Sequence, residues 1–506
     1  MTCRSWAGDR FGVGLVDVRT PVGVGLADLI EIGLRRNPRR AQLLVSTVLG
    51  KHLAVDPRVA AGFGRLLGAL VARRLAGQDE TPPPTWSAAA RSTIRGVQPG
   101  ALLDLTLDLA AVDLAAVDLA AVDLATVDLA AGTGADHSGV LVLGFAETAT
   151  ALGHLVADQL PGAAYLHSTR RRVPGMTVSA EFSEPHSHAV GHLLSPRTPS
   201  LLAGQGAVVL VDDELSTGRT ALNVITELQA IRPRSRYVLA GLVDVRSTAD
   251  DRTRAEVAHR LGCRIDVVSL VAGRIELPTD LVERVAQEFG DGSDRSVVLP
   301  VGAPAEPCRI EPRHIEPCRI DLPWPADVPT GGRHGVLPDQ RPGFDRALRT
   351  AAAVVAQACG PARRVLVVGS EELMYLPLRI ALDLAENPPD GEPAGRRVTF
   401  QSTTRSPVHA VDQPGYPVRR RIDFVGDDAG TAVTRHLYNA GHPDAGHPDA
   451  ADSDAGDHDA AEHEAGQRAD LIVVIDEGDA RPGADGVAAA IAAATGADVV
   501  LCGLPA

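Results

Sequence analysis

The stretch AVVLVDDELSTGRTALN, residues 207–223, decides the fold of the chain. Five apolar residues lead into Asp212 and Asp213, and a hydroxyl-rich loop then runs into a helical pattern. A short unbroken apolar run predicts a buried strand of a parallel sheet. Ligands of open α/β sheets bind at the carboxyl ends of the strands, where these two acids lie. We therefore expect an α/β fold with its ligand site at this point of the chain.

The loop that follows the acids is Ser216-Thr217-Gly218-Arg219-Thr220. It brings backbone N–H groups, hydroxyl groups and a helix N-terminus into one small volume, which predicts an anion site with phosphate as its usual occupant. Carboxylates beside a phosphate loop suit a ligand that carries a diol as well as a phosphate. A ribose 5-phosphate is such a ligand, with its hydroxyl groups on the acids and its phosphate in the loop.

Residues 208–220 resemble the phosphoribosyl-pyrophosphate (PRPP) motif of type I phosphoribosyltransferases. The resemblance implies a doubly wound parallel sheet, catalytic roles for Asp212 and Asp213, a 5′-phosphate site in residues 216–220, and Mg²⁺ held mainly through PRPP. The strand of a Walker ATPase is the alternative for an apolar run followed by acids. That alternative needs a G-x-x-x-x-G-K-[ST] loop, and Lys51, the only lysine, has neither the earlier glycine nor the following hydroxyl.

A second apolar run, residues 139–144, leads into the turn Gly144-Phe145-Ala146-Glu147-Thr148, and a helical pattern follows. A strand, a glycine and a helix are weak evidence when taken alone. This turn precedes the PRPP motif by one βαβ unit and a loop, which strengthens the case. By the same resemblance, the turn is expected to bind the pyrophosphate of PRPP.

Two arginines and three histidines lie between these two motifs, namely Arg170, Arg171, His186, His188 and His192. In type I phosphoribosyltransferases this interval is a mobile loop that closes over PRPP, so the resemblance makes these side chains candidates for a lid or for substrate contacts. The three histidines and a nearby glutamate could instead bind zinc or iron. A packed structural role is the third alternative, and the spacing does not decide among them.

Lys51 belongs to a basic cluster in an otherwise acidic chain, together with Arg39, Arg40 and His52. A solvated surface is one interpretation of such a cluster. The other is that some of these side chains face an anionic substrate as part of a hood over the site.

The overall composition limits the classes of partner. The chain has 49 Lys and Arg against 64 Asp and Glu, a net charge of −15, and only 3% aromatic residues. These values argue against nucleic-acid binding by phosphate neutralisation or base stacking. The N-terminus lacks an apolar signal region and no run of about 18 apolar residues occurs, so no membrane segment is expected. Six scattered cysteines without a C-x-x-C pair predict reduced thiols in a cytoplasmic protein.

The patterns divide the chain into four expected regions. They are an N-terminal helical hood (1–85), a phosphoribosyltransferase domain (86–290), a Pro-rich linker (291–342) and a second α/β domain (343–506). Further apolar runs at 237–244 and 263–271 are expected to complete the first sheet. The hood prediction rests on apolar stripes of helical spacing, one of which consists of Leu26, Leu29, Ile30 and Leu34.

Three tracts repeat with a period of five residues, at 104–131, 306–320 and 441–450. The third belongs to a His/Asp-rich low-complexity segment, 439–464. Because unrelated residues are repeated at one spacing, we expect insertions in surface loops. The segment 439–464 lacks apolar anchors that would fix ligand geometry, so its histidines are not expected to form a specific metal site.

The C-terminal region repeats the order of patterns in the first domain. Gly369-Ser-Glu-Glu corresponds to the turn after Gly144, Gln401-Ser-Thr-Thr-Arg to His167-Ser-Thr-Arg, and Ile475-Asp-Glu to the PRPP acids. This order predicts a degenerate phosphoribosyltransferase-like domain, much as PRPP synthetases pair two such folds. Gly478-Asp-Ala-Arg-Pro stands in place of the phosphate loop, so a second PRPP site is not expected.

The segments GSEELMYLP and Thr404-Arg405-Ser406-Pro407 resemble the TRSP domain. That domain is found C-terminal to an orotate phosphoribosyltransferase-like domain, in proteins encoded within bacterial tellurium-resistance gene clusters. The resemblance implies a pathway for a nucleoside-like metabolite. Arg405 follows a predicted strand, where it is a candidate ligand of phosphate or carboxylate or, alternatively, a capping or interface arginine.

The function favoured by the sequence is transfer of ribose 5-phosphate from PRPP to an unidentified base-like acceptor, with release of pyrophosphate and Mg²⁺ as the cofactor. One alternative is a regulator that senses PRPP or a nucleotide without chemistry. Another is the reverse reaction, pyrophosphorolysis of a nucleotide. PRPP and a small acceptor are the expected partners, without nucleic acid or membrane, and pairing with a second copy is left open.

Overall fold

The computed structural model describes most of the chain, including all but two of the predicted site residues. The ranges are 5–35, 37, 40–78, 82–104, 137–173, 175–182, 191–290, 297–298, 317–387, 396–428, 431–441, 469–477 and 485–505. His186 and His188 lie outside these ranges, as do residues 105–131 and 442–464. The replacement for the phosphate loop in the C-terminal region, residues 478–482, also lies outside them.

The main α-helices are α1 (Trp6–Phe11), α2 (Leu26–Leu29), α3 (Pro57–Leu75), α4 (Pro84–Ile94), α5 (Ala149–Asp158), α6 (Arg219–Ile231), α7 (Thr248–Leu261), α8 (Leu281–Glu288), α9 (Arg341–Cys359), α10 (Tyr375–Glu386) and α11 (Asp485–Thr495). The strands are β1 (Gly14–Arg19), β2 (Ile30–Leu34), β3 (Gln42–Ser46), β4 (Leu141–Gly144), β5 (Ala164–His167), β6 (Ala180–Phe182), β7 (His192–Leu194), β8 (Val208–Leu215), β9 (Arg236–Asp244), β10 (Arg264–Glu276), β11 (Val297–Val298), β12 (Cys318–Asp321), β13 (Arg364–Gly369), β14 (Arg397–Ser402), β15 (Arg421–Asp428), β16 (Thr431–Tyr438), β17 (Leu471–Asp476) and β18 (Asp498–Gly503).

The first sheet has six strands in the order β1-β10-β9-β8-β4-β5. Its strands are parallel except β1, which lies antiparallel to β10 at one edge. Residues 208–211 of β8 and 237–243 of β9 are all buried. Strands without a polar face need cover on both sides, which is the reason that the sheet is layered with helices. The predicted parallel α/β sheet is thus confirmed.

The second sheet has five parallel strands in the order β12-β18-β17-β13-β14. The predicted second α/β unit is therefore confirmed as a sheet. Strands β13, β14, β17 and β18 take the places that β4, β5, β8 and β9 have in the first sheet, in the same chain order. Strand β12 takes the place of β10, although it comes before the other four in the chain.

Two predictions fail at the level of single elements. The stripe that was to be one helix is helical only over Leu26–Leu29, and β2 begins at Ile30. Apolar residues alternate at positions 30, 32 and 34, which suits the pairing of β2 with β3. Residues Cys318–Asp321, expected in a linker and a repeat insertion, form β12, because their backbone pairs with β18 at an otherwise open sheet edge.

The two sheets share an apolar core. Val55, Ala60 and Ala61 come from the N-terminal region, yet they lie in one buried cluster with Leu376 of α10 and Phe400 of β14. Helices α3 and α10 are in direct contact within this cluster. The helices of the first sheet thus pack directly on those of the second. No helix within the described ranges combines the length and the apolar character needed to cross a bilayer.

We call residues 5–290, which contain the first sheet, the first half, and residues 317–505, which contain the second sheet, the second half. Each half covers an edge strand of the other half with a short segment that we call a strap. In the first strap, residues 50–55, Val55 and Phe400 exchange backbone hydrogen bonds of 3.0 and 2.8 Å, and Ser402 donates to the Gly50 carbonyl at 2.7 Å. The second strap is residues 332–336. Covering an edge strand removes a row of unpaired N–H and C=O groups.

The second strap repeats these contacts on β5. Val336 and Tyr165 exchange backbone hydrogen bonds of 2.7 and 2.9 Å, and His167 donates to the Gly332 carbonyl at 2.9 Å. The straps read Gly50-Lys51-His52 and Gly332-Arg333-His334, and each is followed within a few residues by a helix of 19 residues. The two halves therefore exchange equivalent segments.

Gly64 tests the packing of α3 on α5. A methyl group at this position would come 2.4 Å from Cδ1 and 2.8 Å from Cβ of Leu155. Gly64→Ala is expected to lower the free energy of unfolding by about 1–3 kcal/mol, because overpacking outweighs the gain in helix propensity. The control is Gly100→Ala, where an added methyl group meets nothing within 4 Å. Urea unfolding measures both, and equal stabilities would contradict the proposed close packing.

Candidate active site

The predicted pyrophosphate turn and the predicted PRPP acids lie side by side at the carboxyl edge of the first sheet. Strands β4 and β8 are neighbours, with Gly144 opposite Val211. Asp212 and Asp213 follow directly and are partly exposed, and the Asp213 N–H donates to Oδ1 of Asp212 at 3.0 Å. Both carboxylates therefore lie outside the core, one strand away from the turn.

The predicted phosphate loop is shaped by Gly218, the N-cap of α6. Its φ of +71° lies in the left-handed region, which glycine adopts without strain. A Cβ atom here would also come 3.3 Å from Cδ of Arg246. The loop thus leads into a helix of 13 residues, the kind of N-terminus that favours an anion. The first N–H of this helix, that of Arg219, donates to Oγ1 of Thr217 at 3.4 Å.

Arg246 is a cation beside this loop that the sequence analysis did not single out. Its Nε and Nη2 donate to the two carboxylate oxygens of Asp244 at 2.9 and 2.8 Å, and its side chain is only 7% exposed. Such a bidentate pair fixes the plane of the guanidinium group. Arg246 follows β9, the strand next to β8, so it brings a fixed guanidinium group, paired with Asp244 and Asp251, to the same edge.

Glu214, the third acid of the motif, is engaged by the N-terminal region. Arg40 donates from Nη2 to Oε1 of Glu214 at 2.9 Å. Burial raises the pKa of Glu214, and the charges of Arg40 and Lys51 oppose that rise. Arg40 and Lys51 of the basic cluster thus lie near the acidic strand end, and Asp212 and Asp213 are left as the acids of the open edge.

The turn after β4 is supported from the interior. The Ala146 N–H donates to Oγ of Ser168 at 2.9 Å, and Ser168 Oγ lies 2.9 Å from Nδ1 of His192. The His192 ring is fully buried and stacks on Phe182, with centroids 5.1 Å apart. His192, a lid candidate from the sequence, therefore lies behind the turn, because its ring has apolar neighbours.

Glu147 points from this turn to the second half. Thr404 donates from Oγ1 to Oε2 of Glu147 at 3.0 Å, and the Arg405 N–H donates to the same oxygen at 3.2 Å. The Arg405 guanidinium lies 3.5 Å from the other oxygen. The residues that carry the TRSP resemblance thus contact the candidate pyrophosphate turn directly.

Glu372 makes the reciprocal contact. Thr169 donates from Oγ1 and Arg170 from its backbone N–H to this carboxylate, both at 2.7 Å. Thr169-Arg170 follows β5 as Thr404-Arg405 follows β14. This contact with Glu372 is made by the backbone of Arg170, whereas the sequence analysis proposed the Arg170 side chain as a lid candidate.

The backbone around these contacts is matched as well. Ser168 donates to the Gly144 carbonyl at 2.9 Å, and Thr403 donates to the Gly369 carbonyl at the same distance. The hydroxyl of Ser168 accepts from the turn after β4 at 2.9 Å, and that of Thr403 accepts from the turn after β13 at 3.0 Å. The two strand ends have the same local design.

Glu371 binds three arginines where the two halves meet, a region that we call the seam. Arg171 donates from Nη2 at 2.9 Å, Arg405 donates from Nε and Nη2 at 3.1 and 2.8 Å, and Arg435 forms a further ion pair. Burial acts to raise the pKa of Glu371, but these guanidinium groups outweigh it and lower the pKa to about 2. Arg171 and Arg405, both predicted as substrate contacts, thus meet on one internal carboxylate.

Arg333 links two acids at the carboxyl edge of the second sheet. It donates from Nε to Glu372 at 3.1 Å and lies 2.5 Å from Glu477, the acid after β17. Burial acts to raise the pKa of Glu372, and the charge of Arg333 leads the opposing contributions that lower it to about 2. In the first strap the equivalent residue is Lys51, which forms no ion pair within 4 Å among the described residues.

The sequence analysis missed Glu372, Arg333 and Arg435 as members of the seam. Arg333 lay in a segment interpreted as a linker. The recurrence of Gly-Lys-His and Gly-Arg-His at 50–52 and 332–334 is the signal that could have found it. Within the ranges that the structure describes, no group of three His, Cys, Asp or Glu side chains is arranged to hold a metal ion.

The parallel sheet carries this candidate site at its carboxyl edge. A phosphoribosyl transferase family matches residues 29–274. The family described as the TRSP domain C-terminal to that transferase matches residues 330–481. The chain therefore belongs to the proteins that join a phosphoribosyl transferase domain to a TRSP domain.

Solved adenine phosphoribosyltransferases are similar to part of the chain. The Trypanosoma brucei enzyme has 19% identity and a TM-score of 0.21, over 26% of this chain and 56% of that one. The Giardia lamblia enzyme has 22% identity and a TM-score of 0.20, over 26% of this chain and 69% of that enzyme. The Leishmania tarentolae enzyme has 16% identity and a TM-score of 0.23, over 36% of this chain and 74% of that enzyme. The match thus spans little more than half of the trypanosomal enzyme. Comparison with curated proteins finds no match.

The seam is expected to weaken in acid through Glu372. Its pKa in the folded protein, about 2, lies below the ordinary 4.5. Its contribution to stability is therefore complete above pH 4.5 and is lost as the pH falls through 2, a change of about 3 kcal/mol. Glu372→Gln is expected to flatten the dependence of unfolding free energy on pH across this window.

The measurement is urea unfolding at a series of pH values from 2 to 7. The control is Glu283→Gln, because Glu283 is an exposed residue of α8. A Glu372→Gln protein with the same pH dependence as the wild type would show that the carboxylate does not stabilise the seam.

Proposed function

We propose that the first half transfers ribose 5-phosphate from PRPP to a base-like acceptor and releases pyrophosphate. The observation that carries the proposal is the adjacency of three elements at one sheet edge. These are the turn after β4, the acids after β8, and the loop at the start of α6. A phosphate loop or an acid pair alone would suit many ligands. Together they suit a ligand that has a diol between two phosphate groups.

Asp212 and Asp213 act on the ribose. Their carboxylates accept hydrogen bonds from the 2′- and 3′-hydroxyl groups and place negative charge near C1′. The transition state of glycosyl transfer has positive charge at that carbon, so these carboxylates stabilise it more than they stabilise the ground state. Glu214 takes no part, because Arg40 holds it.

Residues 216–220 hold the 5′-phosphate. The hydroxyl groups of Ser216, Thr217 and Thr220 and the first N–H groups of α6 donate to its oxygens, and Arg246 adds positive charge from the next strand. This anchor lies away from C1′, so its binding energy is used to orient the reacting carbon. The partly exposed loop is open to ligand from the solvent side.

Lys51 is assigned to the pyrophosphate side of the site. Its equivalent in the second strap, Arg333, contacts Glu372 and Glu477, and the corresponding positions in the first half are Glu147 and Asp213. Lys51 therefore faces the gap between the turn and the acids. An ammonium group without an ion pair in that gap suits the leaving pyrophosphate.

Arg405 is a positioning residue in this scheme. Its backbone and side chain hold Glu147, and Glu147 belongs to the turn that takes the pyrophosphate. The TRSP domain thus acts on the site through the turn. Arg171 and Arg435 keep Arg405 in place through their common partner, Glu371.

The open carboxylates at this edge fit a magnesium ion. Oxygen ligands suit Mg²⁺, which keeps several waters and needs few protein groups when a polyphosphate is bound. Asp212 and Asp213 are the residues that would hold it together with PRPP. When bound, the ion neutralises charge on the pyrophosphate as it leaves.

We further infer that residues 317–506 are a degenerate copy of the transferase fold without a PRPP site. The shared strand order, the matched hydrogen bonds after β4 and β13, and the exchanged straps support this inference. Arg333 already bridges the two acids of the second edge, whereas Lys51 of the first half has no ion pair within 4 Å in the described part of the chain. The protein is then an internal pair of folds with one working site.

The finer assignments rest on the family pairing alone. We propose a base or base-like compound as the acceptor and a nucleoside-like product in a tellurium or stress response. The free cysteines among the described residues suit a reducing compartment such as the cytoplasm. A pairing of two copies is compatible with the fold, and light scattering would measure it.

The double change Asp212→Asn and Asp213→Asn tests the enzyme assignment. It is expected to reduce pyrophosphate release from PRPP by at least about a hundredfold, because the charge that stabilises the transition state is removed. Wild-type protein is expected to bind one PRPP per chain by calorimetry. Two bound PRPP molecules would refute the inference on the second half.

Glu256→Gln and Glu283→Gln serve as the control, because these acids are exposed on α7 and α8. The assay uses a panel of purine and pyrimidine bases as acceptors. Binding of PRPP without pyrophosphate release on any base would favour the sensor alternative, and unchanged release by the double variant would end the catalytic assignment of the acids.

Lys51→Met is expected to raise the KM for PRPP by about ten- to a hundredfold, because a charge-assisted contact to the pyrophosphate is lost. Lys51→Arg keeps the charge and is expected to retain most of the affinity. Since Lys51 is the only lysine, amine acylation followed by peptide mass spectrometry gives a second measurement. PRPP should protect Lys51 from the reagent, and labelling at an undiminished rate would place Lys51 outside the site.

A further inference from the structure

A cavity of about 340 Å³ lies between the two halves. The first half provides α3, α5 and β5 to its walls, and the second half provides the second strap, α9 and α10. Pockets for small molecules in proteins begin at about 300 Å³. The cavity is therefore large enough for a small metabolite.

This cavity is separate from the proposed PRPP site. His154 and Asp158 line it, and both are on α5, the helix that begins next to Thr148 of the turn. At 1.5 Å per residue, these side chains are roughly 9 and 15 Å along the helix from that turn. A ligand in the cavity would thus lie toward the opposite end of the sheet from the 5′-phosphate loop.

The charges on the walls favour an anion. Three arginines, Arg65, Arg341 and Arg379, face two acids, Asp158 and Asp345. The acids already have partners, as the next contacts show. Arg65 forms no hydrogen bond or ion pair within 4 Å among the described residues, and the carboxylate on which its charge acts, Glu386, is not part of the walls.

The contacts of the other charged groups are internal to the walls. Asp158 accepts from the Tyr375 hydroxyl at 2.8 Å and lies 4.0 Å from Arg341. Asp345 accepts from Arg379 at 3.2 Å. Arg341 also donates to a backbone carbonyl at 2.9 Å. These groups hold the cavity in shape, and Arg65 is the arginine that the two acids of the walls do not hold.

The remaining walls are aromatic. His154 stacks on Tyr375 with centroids 4.1 Å apart and lies 3.8 Å from the Tyr165 ring, and Phe344 packs on Tyr375 at 5.6 Å. Burial lowers the pKa of His154 well below its usual range, so this ring is neutral. The Arg379 guanidinium also lies over the Tyr375 ring, 5.4 Å from its centroid. Aromatic walls beside an arginine that the acids of the walls do not hold suit a ligand that has both a ring and a negative charge.

We propose that this interdomain cavity binds a small aromatic anion, with its ring against the walls of His154, Tyr375 and Phe344 and its charge on Arg65. No residue of the cavity belongs to the turn, the acids or the phosphate loop. The proposal therefore stands whether or not the first half transfers ribose 5-phosphate.

The test is isothermal titration of the full chain with three probes, AMP, UMP and benzoate, each with and without saturating PRPP. At least one probe is expected to bind in the presence of PRPP. Arg65→Gln is expected to weaken that binding by about tenfold or more, because a charge-assisted contact is lost. Arg349→Gln is the matched control, since Arg349 is an exposed residue of α9, and it should leave the affinity within about twofold.

Three results would overturn the proposal. They are no binding by any probe, binding that saturating PRPP abolishes, and equal affinities in the Arg65 and Arg349 variants. Thermal unfolding of both variants shows whether the fold is intact. A direct titration with PRPP reports on the transferase assignment separately from the cavity.

Discussion

The structure depends on two carboxylates that reach across the seam, the partly buried Glu147 and the buried Glu372. Glu147 of the first half accepts hydrogen bonds from Thr404 and Arg405, and Glu372 of the second half accepts the same pair of bonds from Thr169 and Arg170. Removing a carboxylate from water costs several kcal/mol unless donors and opposite charges compensate. Each half provides part of that compensation for the other. Since Glu147 belongs to the turn after β4, the contact that joins the halves also fixes the candidate site.

The sequence predicts those features that depend on local patterns. Apolar runs such as residues 207–211 identify the parallel strands, because a strand buried on both faces has no polar positions. Gly218 and its hydroxyl neighbours predict the left-handed turn and the start of α6, since both are properties of adjacent residues. The adjacency of the acids to the turn after Gly144 then follows from strand order. The roles of these residues in catalysis remain proposals.

The features that the sequence did not reveal depend on pairs of residues far apart in the chain. Arg333 reads as part of a linker until its partners Glu372 and Glu477 are known. His192 reads as a lid residue until Phe182 and Ser168 are found on either side of it. Residues Cys318–Asp321 form a strand only because β18 offers them an edge. In each case the sequence gives the residue type, but it does not give the residues that lie next to it in the folded protein.

The straps have a consequence for how such a protein can change over time. Each strap is continuous with one half in sequence and completes the sheet of the other half in space. A gene that lost either half would leave the survivor with a bare β5 or β14, and a bare edge recruits strands from other molecules. A truncated product is therefore expected to self-associate through that edge.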